Sequence, residues 1–196
     1  SNKFDKNWEK KIDTIFAHYF ISPESPKPIP RYIFEFSDPK EKTFMEKFDE
    51  IMGNTKFVHF PEVLFIYPDG LDPSKLQNKI DLSKFGNEPN LKHTKYTLSG
   101  IIYIVFKRNG VHHFINFVRA STEEVWIYFS DEVGIEYSWE YKRRLNKIIT
   151  PLDNQIPNKF KNGQIHLLMY IADDVLNEYF CFTPNVIPPK CPTNQK

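Results

Sequence analysis

The chain has 196 residues, enough for one domain that buries most of its apolar surface. With 40% hydrophobic and 16% aromatic residues it can build a core without disulfide or metal staples. Lysine and arginine number 26 against 25 aspartates and glutamates, so no global field recruits nucleic acid or an anionic membrane.

The one basic run, Lys142-Arg143-Arg144, reads as the solvated face of a helix. Cys181 and Cys191 stand late in the chain and read as two reduced thiols, the pattern of an intracellular protein, cytoplasmic or nuclear. No apolar run approaches the roughly 20 residues of a membrane span. The polar, aromatic N-terminus is not a signal peptide.

In chain order, Phe4, Trp8, Ile12, Ile15, Phe16 and Tyr19 recur at helical spacing, which predicts an amphipathic helix ending before Ser22-Pro23. Pro23, Pro26, Pro28 and Pro30 then force an extended connector, and Arg31 to Phe36 reads as a short strand. Asp38, Pro39 and Glu41 supply a capping box for a second helix with the stripe Phe44, Phe48, Ile51 and Met52, closed by Gly53-Asn54.

From residue 57 the period shortens. Phe57 to Tyr67 reads as one apolar strand closed by the turn Pro68-Asp69-Gly70, and Ile80 to Phe85 as a short second run. Tyr96 to Phe106 and Val111 to Arg119 form a hairpin around Asn109-Gly110, and Val125 to Phe129 follows. Residues 138 to 149 read as a helix, Gln164 to Ile171 as a last strand, and the proline-rich end as extended. The expected fold class is α+β, an antiparallel sheet with N-terminal helices: a helical segment with its connector over 1–56, a β-rich core over 57–172, and an extended tail over 173–196.

The strand block resembles the C-terminal half of the ubiquitin-specific proteases, papain-like deubiquitinases. Six segments carry the resemblance, in the family's order: Phe60-Pro61-Glu62-Val63-Leu64-Phe65-Ile66-Tyr67, Ile80-Asp81-Leu82-Ser83-Lys84-Phe85, Tyr96 to Ile102, His112 to Arg119, Trp126 to Asp131, and His166 to Tyr170. They cover roughly residues 57 to 172. The implied fold is the palm and fingers half of that protease. The implied base is His113, with Ser130 or Asp131 at the position that orients its imidazole.

A thiol protease needs a thiolate, a histidine that takes its proton, and a polar group that orients the ring. Three departures stand against that chemistry. Ser130 occupies the place of the family's Asp or Asn, and its hydroxyl brings no charge to an imidazolium. Asp131, the next residue, points to the other face of an uninterrupted strand. His112 stands where the family has glycine, crowding the channel for a substrate tail.

No cysteine precedes His113. Met52-Gly53-Asn54-Thr55-Lys56 echoes the family's cysteine box with Lys56 in the cysteine's place, but it lies too close to His113 to be one. Paired Cys-x-x-Cys sites are lacking, so no metal is implied, and no Gly-rich phosphate loop or other cofactor motif occurs.

Two functions follow. One is an inactive protease-like module that binds or scaffolds proteins, with ubiquitin or a ubiquitin-like modifier as candidate partner and no role for nucleic acid or membrane. The other is the C-terminal half of an active deubiquitinase whose nucleophile lies outside this chain. A half-domain also exposes an apolar face, which self-association or a complementary N-terminal half would cover.

Overall fold

The computed structural model describes residues 6–36, 43–69, 71, 76–106, 112–119, the backbone of 126–130, and 163–179. Helix α1 spans Lys6–Phe16, short of the end its apolar spacing suggested, and β1 takes His18–Ile21. The reason is local: His-Tyr-Phe-Ile is an aromatic and β-branched run that suits a half-buried pleated surface. β1 pairs antiparallel with β2 (Ile29–Arg31) on one side and β4 (Lys56–His59) on the other. The proline connector thus ends in a strand. Pro30 sits on the outer strand of the β2-β1-β4 sheet, where its missing N–H breaks no ladder.

β3 covers Ile33–Phe36 and α2 Phe44–Met52. The N-cap of α2 is Thr43, with a capping box in which its hydroxyl accepts from Glu46 N and the Glu46 carboxylate accepts from Thr43 N. The expected cap residues, Asp38, Pro39 and Glu41, lie outside the described residues. Phe44, Phe48 and Met52 are buried as the stripe demands, while Ile51 is exposed. Gly53 closes the helix at φ +47°, a backbone region that favours glycine.

The single strand expected over Phe57 to Tyr67 is two strands in two sheets: β4, and β5 at Val63–Pro68. The break falls at Phe60-Pro61-Glu62, where proline offers no ladder donor. Strand β6 (Lys79–Asp81) leads into a single 3-10 turn at Ser83–Phe85. Then come β7 (Lys95–Phe106), β8 (His112–Arg119), β9 (Trp126–Ser130), β10 (Gly163–Ala172) and the short helix α3 (Leu176–Tyr179). The hairpin turn, the helix expected at 138–149 and the far C-terminal end fall outside the described residues.

The large sheet has the order β3-β5-β10-β7-β8-β9, with β6 also on β7. It is mixed rather than wholly antiparallel. β3 and β5 run parallel, because the chain between them leaves the sheet through α2 and β4. No helix among the described residues is long and apolar enough to cross a membrane.

The core lies between the large sheet, α2 and the small sheet, and it is built of rings. Phe34 meets Phe48 at 4.7 Å, Phe36 meets Phe44 at 4.9 Å, and Phe57 meets Phe60 at 4.4 Å between centroids. Such pairs add roughly 0.5–1.5 kcal/mol each beyond the area they bury.

His18 stands among these rings, fully buried, with Phe20 at 4.8 Å, Phe34 at 5.9 Å and Phe57 at 6.0 Å. Neither ring nitrogen has a hydrogen-bond partner among the described residues. Burial, then the nearby Arg31 and His59, push its pKa down to about 4. From its ordinary 6.5 down to about 4, the unfolded chain holds a proton there that the folded chain refuses, so stability falls as pH drops through that window. The unsubstituted chain should lose about 3 kcal/mol more than His18→Leu between neutral pH and that lower value, read by urea unfolding. Parallel pH profiles for the two proteins would contradict a neutral, buried His18.

Candidate functional site

His113 is the second residue of β8 and pairs with Val105 of β7. Directly paired residues share a face, and along β8 the positions in step with His113 are the buried Ile115, Phe117 and Arg119. The imidazole therefore sits, half-buried, on the core side of the sheet where β8 begins. β9 pairs with β8 so that position 130 lies opposite Ile115, two residues along from His113. The register thus brings Ser130 and His113 to diagonal positions of one strand pair. Asp131 lies outside the described residues.

His112 alternates to the outer face. It is exposed there and meets Phe106 edge-on at 5.1 Å. The same face carries a short ladder of rings: Phe114 lies 6.1 Å from His166, which in turn meets Tyr67 edge-on at 5.3 Å. His166 reaches this position because the β10–β7 register slips between Ile165 and Leu167, leaving it as the extra residue of a bulge. Lys56, the residue in the echo of a cysteine box, starts β4 in the other sheet and donates from Nζ to the Lys84 carbonyl at 3.1 Å.

A second constellation was missed in the sequence. His93, with the positive φ of 59°, places Nδ1 2.9 Å from Asp174 Oδ1. With Nδ1–H donating to the carboxylate, Nε2 is left as the acceptor. The neighbouring Asp173 is fixed as well. Its carboxylate accepts from the Thr97 hydroxyl at 2.6 Å, and its N–H donates to the Lys95 carbonyl at 2.8 Å. These bonds clamp the turn after β10 onto the start of β7, and they hold His93 in a conformation uncommon for a side chain with a Cβ.

The clamp borders a cleft of about 570 Å³ whose walls include His59, Glu62, Lys92, His93 and Glu178, over Phe60, Leu91 and Val175. Burial lowers the pKa of His59, a shift opposed by its bond to the Thr14 carbonyl. The cleft has one hydroxyl in its lining, that of Thr14, and this donates to Lys10 O within α1. The His93–Asp174 pair is thus an oriented imidazole without an adjacent nucleophile among the described residues. No three His, Cys, Asp or Glu side chains among those residues gather as a metal site.

The two histidine sites occupy opposite ends of β7. His113 is paired at residue 105 and His93 precedes residue 95, so about 33 Å of strand separates them. They cannot share a substrate atom.

This arrangement, a mixed central sheet with a histidine-bearing hairpin, is similar in its class of fold to the ubiquitin hydrolases. It is similar to the structure of the Saccharomyces cerevisiae PAN2 pseudoubiquitin-hydrolase, with a TM-score of 0.53 and 13% identity, over 89% of this chain. The chain spans 61% of the length of that neighbour. No protein-family model and no curated protein matches the sequence.

The clamp at the foot of β7 has a direct test. Thr97 is buried, and Thr97→Val keeps its shape while removing the hydroxyl that donates to Asp173. The substitution should cost roughly 1–3 kcal/mol, since it leaves a carboxylate without a partner it now has. Amide exchange at Asp173 should accelerate with it. Unchanged exchange there would mean that the turn is held by its backbone bonds alone.

Proposed function

We propose that this chain is a catalytically inactive module of ubiquitin-hydrolase-like fold that works by binding protein partners, with ubiquitin or a ubiquitin-like modifier the first candidates. The observation that carries the reading is the β8–β9 register. The strand position diagonal to His113 is a serine, where orienting an imidazole and stabilising its charged form calls for a carboxylate or amide. Two further features support it. His112 takes the place of a glycine and carries its ring to the outer face, and the cysteines of this sequence, Cys181 and Cys191, both follow His113.

A second reading has one observation in its favour, the 61% coverage of the structural neighbour's chain. On that reading the chain is the C-terminal half of an active deubiquitinase, His113 is the base, and the nucleophile comes from a segment outside these residues.

The two readings part in a single assay. The chain is incubated with ubiquitin carrying a thiol-reactive group at its C-terminus, and separately with a fluorogenic ubiquitin conjugate. No adduct should form at Cys181 or Cys191, and release should stay at the buffer rate, for both the unsubstituted chain and His113→Ala. Supplying any segment that precedes these residues in the natural protein should leave both results unchanged. Cleavage that appears on that addition and disappears with His113→Ala would establish the second reading.

A further inference from the structure

The cleft beside His93 is walled by stretches of chain that lie far apart in sequence. Thr14 comes from the last turn of α1, His59 from the end of β4, and Glu62 from the residue before β5. Residues 90–93 approach β7, while Val175 and Glu178 belong to the turn and helix after β10.

The side-chain hydrogen-bonding groups of these walls are mostly acceptors. His93 gives its Nδ1 proton to Asp174, which leaves Nε2 to accept. His59 has Nε2 3.4 Å from the Thr14 carbonyl, which can only accept, so that nitrogen carries the proton and Nδ1 is the acceptor. Burial, opposed by the Thr14 carbonyl and assisted by the nearby His93, lowers the His59 pKa, so the ring is uncharged at neutral pH. Glu62 and Glu178 contribute carboxylates, and the Thr14 hydroxyl already donates to Lys10 O. Side-chain donors enter only with Lys92 and Asn90, both on exposed residues.

Charge follows the same pattern. Glu62, Glu178 and the Asp174 that holds His93 set three carboxylates at or beside the cleft, against the one ammonium of Lys92. Phe60, Leu91 and Val175 complete the lining with apolar surface. His93 keeps its place at φ 59°, uncommon for a residue with a Cβ, and strained positions of this kind gather at ligand sites.

We propose that this cleft binds a basic side chain, lysine or arginine, of a polypeptide partner. The alkyl stem of such a residue covers apolar surface while its head keeps polar contacts. The head brings a positive charge and several N–H donors to a set of imidazole and carboxylate acceptors. An anionic ligand would meet those carboxylates and find its side-chain donors only in Lys92 and Asn90. The cleft lies at the end of β7 opposite His113, so the proposal holds whether or not that histidine serves catalysis.

Short alanine peptides, blocked at both ends and carrying one central lysine, arginine or norleucine, test this against the full chain by amide chemical shifts at physiological salt. The lysine and arginine peptides should move the amides of Leu91 to His93 and Glu178 saturably, with dissociation constants of about 1 mM or tighter. Norleucine keeps the stem without the charge and should bind at least about ten-fold more weakly. Glu62→Gln and Glu178→Gln preserve shape, and each should weaken the basic peptides about five-fold. Glu35→Gln, at an exposed carboxylate on β3, should leave their affinity unchanged. His93→Phe removes the Nε2 acceptor and should also weaken binding; circular dichroism reports its fold, and the glutamine variants decide the question in either case. Equal binding of norleucine overturns the proposal, as does an affinity indifferent to both glutamine variants or a basic peptide that moves none of these amides.

Discussion

Strand β7 is hydrogen-bonded along both edges, and the rest of the molecule is arranged around it. β10 covers one edge from Tyr96 to Val105, while β6 and then β8 share the other. Tyr96 to Ile101 are buried irrespective of the face they point to, so this stretch cannot shift by one residue without disturbing both layers. Gly100 shows how close the packing is, since a Cβ there would stand 3.0 Å from the Met169 side chain. Two tyrosines pin the surrounding loops to the same frame. Tyr96 donates to the Pro61 carbonyl at 2.7 Å, Tyr170 to the Gln77 carbonyl at 2.8 Å, and burial raises the pKa of both hydroxyls.

A rigid central strand gives the molecule two ends with different chemistry. At one end β8 begins and β9 stops, which brings His113 and position 130 into one strand pair. At the other, Asp173 and Asp174 bind the residues at the start of β7 and orient His93 beside a cleft. Each end has an imidazole with a defined setting. Neither has, among the described residues, the set of nucleophile, base and charged orienting group that acyl transfer requires.

Much of the frame could be read from residue pattern alone. β7, β8 and β10 are long runs of β-formers, and their limits lie within one or two residues of those expected. The misreadings have physical causes. Tyr19 fits the helical spacing of α1 and the pleat of β1 equally well, and only pairing with β2 and β4 decides between them. Two capping boxes stand close together in the sequence, Asp38 with Glu41 and Thr43 with Glu46, and the second caps the described helix. The apolar run over 57–67 hides a change of sheet, because strands of both sheets draw on the same ring-rich core. The His93–Asp174 pair joins residues 81 apart and has no local signature at all.

On the proposed reading, the placement of His112, His113 and Ser130 explains how such a fold would persist without catalysis. His112, His113 and Ser130 stand at strand ends, whereas the register of β8 is set by interior partners such as Ile115 with Tyr103 and Phe117 with Ile101. The core contacts that oppose chain entropy lie elsewhere, in the phenylalanine cluster and the two faces of β7. A change at position 112 or 130 would therefore leave in place the bonds that hold the sheet. The proposed binding role would need only the surface that this frame presents, and the frame does not depend on those residues. On the proposed reading, chemistry and fold are separable here because they are held by different parts of the same strands.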